Sequence, residues 1–139
     1  MLTSADSRMR VLVVEKQPQV RTALHFLLER HPDVIVAGVV SDFESLAIAM
    51  DATSPDLLLL GWGPNGQTGE ECLQFLQKNH SRAKVIVLSC QQGIEIAALT
   101  AGADFFVSKA DPPERLLEAL TEVHRELLRE SEISLDVRI

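Results

Sequence analysis

The residues with chemistry to offer stand just after short apolar runs. Glu15 and Lys16 follow Val11–Val14, Ser89 and Cys90 close the run begun at Val85, and Lys109 ends a stretch that starts at Asp104. A carboxylate, two ammoniums and a hydroxyl are the groups that hold a small anion, and two ammoniums against one carboxylate leave a surplus of positive charge for it. Should the run ends meet, Lys16, Lys109 and Ser89 would converge with Glu15 on a site for a small anion or ligand. The plainer arrangement is that Lys16 pairs with Glu15 or points to solvent. A third run, Leu57–Leu60, leads into Gly61-Trp62-Gly63-Pro64-Asn65-Gly66, which satisfies the glycine spacing of a dinucleotide loop. Pro64 and Asn65-Gly66 are turn chemistry, however, and two more residues separate them from Thr68. The next run ends in Ser89-Cys90 with no acid for a ribose. A plain turn is the reading, and nucleotide or cofactor binding is its alternative.

Other chemistries find little support. His25, His31, His80 and His124 are scattered over helices and helix ends without metal-ligand spacing, so no metal site is expected and solvent-facing histidines are. None follows a strand, which disfavours a Ser/His/Asp or Cys/His hydrolase and points away from an enzyme. Cys72 and Cys90 are too few for a disulfide framework and are expected to be small buried hydrophobes. A net charge of −7 repels polyphosphate, so no nucleic acid is expected to bind this domain alone. No apolar run has the length of a membrane span, and Met1–Arg10 lacks the stretch of a secretory signal, so a cytoplasmic protein with no membrane contact is expected.

At 139 residues, 46% hydrophobic and 24% charged, the chain suits one globular domain. Apolar runs alternate with helix-period segments, the mark of βαβ units on a parallel sheet. Five units can be counted. Val11–Val14 is the first strand, and Pro18 opens a helix with Val20, Ala23, Leu24, Leu27 and Leu28 inward, ending near His31-Pro32. Val34–Val40 is the second strand, followed by a capping box at Ser41–Glu44 and a helix with Phe43, Leu46, Ala47 and Met50 on its apolar face. Asp56–Leu60 is the third strand, apolar enough to be central. A second capping box at Thr68–Glu71 starts the next helix, with Cys72, Phe75 and Leu76 inside. Lys84–Ser89 is the fourth strand, Ile94–Ala101 a helix stopped by a left-handed Gly102, and Asp104–Lys109 the fifth strand. Asp111 caps the last helix, whose buried stripe is Leu116, Leu120, Val123 and Leu127. Residues 1–9 read as an N-terminal extension, 10–129 as the domain, and 130–139 as a frayed tail or the start of a linker.

Five such units fit a three-layer α/β/α doubly wound sheet of order 2-1-3-4-5, flavodoxin-like, whose functional loops follow the first and third strands. The sequence resembles the receiver domains of bacterial two-component response regulators, especially those that precede a helix-turn-helix output domain. The resemblance covers about residues 9–129 and rests on Arg10–Val14, Pro18, Val20-Arg21, Ser54–Leu60, Gly69, Val85–Ser89, Ala101–Asp104, Phe106 and Lys109.

That resemblance implies a phosphorelay role and a set of site residues. In such domains acids ending the first strand help hold magnesium, and an aspartate ending the third strand is phosphorylated. The matching positions here are Glu15, Lys16 and Gly61. An ammonium in the ligand shell opposes the cation and Gly61 brings no oxygen, so magnesium binding is expected to be weak or absent. The hydroxyl and lysine that hold the phosphoryl group are matched by Ser89 and Lys109, and the switch aromatic by Phe106. Lys109 is expected to fill the space left by the missing aspartate. Asp56 starts its strand, roughly 16 Å from the far end, too far to substitute. Trp62, with Cys90, is expected over the vacated pocket or on a partner surface. The resemblance thus implies a pseudo-receiver without its phosphoacceptor, an interaction module using its fourth helix, fifth strand and fifth helix toward a protein partner or a second copy. The alternative is a flavodoxin-like nucleotide or small-ligand binding domain.

Overall fold

The computed structural model describes residues 7–63, 67–79, 81–91 and 93–137, with the backbone alone for 67–68 and 132–137. Strands and helices alternate along it: β1 (Met9–Val14), α1 (Pro18–Glu29), β2 (Val34–Val40), α2 (Leu46–Thr53), β3 (Leu57–Gly61), α3 (Gln67–Lys78), β4 (Lys84–Ser89), α4 (Ile94–Thr100), β5 (Phe105–Ser108) and α5 (Pro113–Val137). The strands form one parallel sheet in the order β2-β1-β3-β4-β5, the doubly wound topology expected.

Alternation along the strands builds two cores. Val11, Val13, Leu57, Leu59, Ile86 and Leu88 face α1 and α5 and meet Leu24, Leu28, Leu116, Leu120 and Val123. Leu12, Val14, Leu58, Leu60, Val85 and Val87 face the other way, onto Leu46, Cys72, Leu73, Leu76 and Ala98. Leu57 to Leu60 have no exposed surface at all, so β3 holds the centre, and each of those side chains contributes roughly 1.5–3 kcal/mol by leaving water. The outer strands β2 and β5 are mostly half-buried, as edges are.

Two aspartates fasten the strands at the end away from the run ends. Asp56 takes the Arg10 amide on Oδ2 at 2.9 Å while its own amide donates to the Arg10 carbonyl at 2.8 Å. Asp104 repeats the device with Val85, at 2.8 and 2.9 Å. Both lie just outside the strands they were expected to begin, because their carboxylates replace ladder bonds.

Several helix ends differ from expectation. The box at Ser41–Glu44 does not form: Asp42 Oδ1 accepts the Ser45 amide at 2.8 Å, the Ser41 hydroxyl donates to the Asp42 carboxylate at 3.3 Å, and α2 starts at Leu46. A carboxylate out-competes a hydroxyl for that amide, and the Ser45 amide holds the Asp42 carboxyl below its ordinary pKa. With the start displaced, Ala47 is exposed and Ala49 packs inward instead. Ala23 is likewise exposed on α1. Gly102 takes the left-handed conformation expected, at φ 117°. The Asp111 carboxylate faces Arg115 Nε at 3.9 Å, and α5 starts at Pro113. Helix α5 also runs past the boundary placed at 129, since Glu130–Val137 holds no glycine or proline to stop it. The Thr68 side chain, the turn residues Pro64–Gly66, His80 and Ile139 lie outside the described residues.

Candidate functional site

Parallel register brings the run ends together. Val14 pairs with Leu60, Gly61 with Leu88, and Ser89 with Ser108, so Glu15, Gly61, Ser89 and Lys109 share one rim of the sheet. Residues 13, 15, 61, 107 and 109 have the parity of the α1/α5 face, which aims Glu15 and Lys109 across Gly61 toward each other.

Glu15 is the centre of this rim. Its amide donates to the Val40 carbonyl at 3.0 Å, its Oε2 accepts the Gln17 amide at 3.0 Å, and the residue is only 3% exposed. Lys109 Nζ stands 2.9 Å from Oε1. The Oε1 atom is thus held by a charge partner. A Cβ built on Gly61 would fall on Oε1 and come within 2.7 Å of the Glu15 Cδ. The volume that any side chain at 61 would need is therefore filled by the Glu15 carboxylate, and only glycine leaves room for it.

The neighbours hold this arrangement. Arg21, on the first full turn of α1, donates from Nη1 to the carbonyls of Glu15 at 2.8 Å and Lys16 at 2.9 Å, clamping the loop that carries Glu15. Sequence reasoning had Arg21 only as part of a resemblance. The clamp joins side chain to backbone across a turn and leaves no pattern of residue types. Ser89 is 1% exposed; its carbonyl accepts the Lys109 amide at 3.0 Å and its hydroxyl the Gln91 amide at 3.1 Å. Phe106 is half-buried against the α4 side of the core.

Lys16 is exposed, the plainer arrangement, and Lys109 alone of the two ammoniums is at the Glu15 carboxylate. Three expected placements change. Trp62 is 2% exposed on the α3 side of the sheet, its ring against Gly69, so it neither covers the pocket nor reaches a partner. One residue after Gly61, it must face the opposite side. Cys90 is exposed, being the first residue past its strand, whereas Cys72 is buried and its thiol is pushed up to about 12, chiefly by burial. His124 is 8% exposed, with Nε2 donating to the Ser7 carbonyl at 2.6 Å, because it lies beside Val123 on the inner side of α5. Among the described residues, Glu15 Oε1 and the Trp62 indole nitrogen are the buried side-chain polar atoms without a hydrogen-bond partner.

The donor set does not suit a hard divalent cation. Glu15 offers one carboxylate, already neutralised by Lys109 and bonded by Gln17, and Gly61 offers no side-chain oxygen. No cluster of three or more acids, histidines or cysteines able to hold a metal occurs among the described residues.

The family model of the response regulator receiver domain matches residues 11–121. The chain belongs to that family. It is 30% identical over 139 residues to the probable transcriptional regulatory protein SgaR of Hyphomicrobium methylovorum, covering 99% of this chain and 66% of the relative. It is 32% identical over 112 residues to the nitrate/nitrite response regulator protein NarL of Escherichia coli K12, covering 79% of this chain and 52% of NarL. This receiver therefore spans about half to two thirds of the length of those relatives. A LuxR-family two-component response regulator from Aurantimonas superposes with TM-score 0.77 at 25% identity over 86% of each chain. The receiver domain of a NarL-type regulator from Mycobacterium tuberculosis, at TM-score 0.75 and 22% identity over 85% of this chain and 97% of its own, shares the fold. Among the described residues no helix is long and apolar enough to cross a membrane.

Proposed function

We propose that this receiver signals without aspartyl phosphorylation, as a protein-interaction module whose acceptor position is filled from within by Glu15. The observation that carries this reading is the overlap between a Cβ on Gly61 and the Glu15 carboxylate. Position 61 ends β3, where the resemblance puts the phosphoacceptor. A glycine there has no nucleophile, and the lysine that would hold a phosphoryl group already has its counter-charge.

In a receiver of the ordinary kind, phosphorylation shifts a balance between two arrangements of the α4-β5-α5 face. With Glu15 on Lys109 that balance has no phosphoryl trigger, and the face is held in one arrangement or biased by a bound partner. Ile96 and Leu99 support the face as the interaction surface: one helical turn apart on α4, they are 76% and 43% exposed. The module performs binding and no chemical turnover.

Sedimentation velocity with and without magnesium and beryllofluoride, a mimic of an acyl phosphate, tests the reading. The same distribution is expected in both conditions. A shift in oligomeric state on adding beryllofluoride would contradict it.

A further inference from the structure

We propose that the groove between α1 and α5 is a ligand site for a small uncharged molecule with an apolar body and a hydrogen-bond-accepting end. The inference rests on the reading that Glu15 fills the acceptor position, and it supplies the trigger that reading removes.

The groove measures about 810 Å³, inside the range of sites that enclose drug-sized molecules, roughly 300–1,000 Å³. Leu88 and Val107 line it from the sheet, Ala23 and Leu27 from α1, and Leu116 from α5. Such a lining offers an apolar body burial and little else, so the selective contact must come from the polar end. Lys109 supplies it, since it lines the same groove. Its side chain is 19% exposed, and its ammonium has the Glu15 carboxylate as charge partner on one side. An ammonium carries three N–H donors, and one carboxylate oxygen at 2.9 Å leaves the others, at the end of an apolar groove, for an acceptor on the ligand.

Charge decides which acceptor. Glu15 lies 2.9 Å from the ammonium, so one carboxylate already balances that cation. A ligand carboxylate would bring a second negative charge beside Glu15 in a partly dry site, whereas a carbonyl or ether oxygen takes the hydrogen bond without that repulsion. Occupancy would also be felt elsewhere. The groove includes Pro112 and Pro113, where β5 passes into α5, so a molecule seated there fixes the junction that belongs to the α4-β5-α5 face.

The probe is 6-propionyl-2-(dimethylamino)naphthalene, an uncharged fluorophore with an apolar ring system and one ketone. Its emission moves to the blue on leaving water. With the full chain a saturable, blue-shifted signal is expected. The related 6-(dimethylamino)-2-naphthoic acid, a carboxylate of similar shape, should bind about tenfold more weakly, as should the ketone to Lys109→Met. Ala23→Trp serves as the fold-safe control. Ala23 is exposed, so a large ring there fills the groove without entering the core. Saturable binding should disappear in that variant while its melting temperature holds. A non-saturating signal in the parent chain, equal binding of ketone and carboxylate, or indifference to Ala23→Trp would overturn the site. So would self-association that Ala23→Trp abolishes while the ketone fails to compete, because a second copy would then own the groove. Resistance to phosphorylation is read separately by mass, so failure of the probe and failure of the wider reading stay distinct.

Discussion

Glycine at 61 and glutamate at 15 make sense only together. The extra methylene of glutamate lets its carboxylate reach over β3, and the missing side chain at 61 gives it somewhere to go. Gly61→Asp should therefore harm the fold and fail to restore an acceptor, since it drives a second carboxylate into the first. Overpacking and like-charge repulsion together are expected to remove about 2–4 kcal/mol of stability, measured by urea unfolding. Adding Glu15→Ala to that variant should recover a good part of the loss, a coupling between two residues that share one space. Additive losses would show that the two do not compete. At this scale the sequence revealed which groups were present and which rim they would share, because the apolar runs that end in them are unmistakable. It put Lys109 in the vacant volume, whereas the Glu15 carboxylate takes the space at Gly61 and Lys109 pairs with it, because that depends on side-chain length against a particular register. The side taken by Trp62 was readable from strand alternation, and its status as the lone tryptophan drew attention to the pocket instead.

Elements show the same division between pattern and local competition. Strands were legible to within a residue or two at either end, since an apolar run covered on both faces has few other readings. Starts of helices were less so. Ser41–Glu44 has the residue types of a capping box, and one carboxylate inside it, Asp42, captured the amide first. The length of α5 was hidden because its polar end has no apolar period, and packing near Lys84 fastens it. Lys84 Nζ is 2.8 Å from Glu130 and 4.0 Å from Glu126, ties between the start of β4 and the far part of α5. Its pKa is raised above 10.5, first by the bond to Glu130. The stabilisation is thus complete below roughly pH 10 and is lost as pH rises through the raised value. Lys84→Met should speed amide exchange in the segment 124–130 by at most about fivefold, ~1 kcal/mol for a partly exposed pair. That difference from the parent chain should shrink as pH rises through the raised Lys84 pKa. A difference unchanged at high pH would mean that the lysine stem, not its charge, fastens the helix.

Two cores, one on each side of a five-stranded sheet, make the whole molecule a rigid carrier for the rim and for the α4-β5-α5 face. The architecture was the most legible level of all, because alternation of apolar runs and helical periods leaves few topologies. Which face meets a partner is less legible, since exposure is settled only when the helices pack. Ile96 and Leu99, apolar and exposed on α4, are where it should be felt. Ile96→Asp with Leu99→Asp should abolish self-association in sedimentation equilibrium at tens of micromolar, leaving the circular dichroism spectrum intact, and association that survives both changes would move the interface elsewhere. The purified chain, incubated with acetyl phosphate and magnesium and then weighed intact, should keep the mass of its unmodified sequence. A phosphoryl adduct that hydroxylamine removes would reveal a working acyl-phosphate acceptor and contradict the role assigned to Glu15.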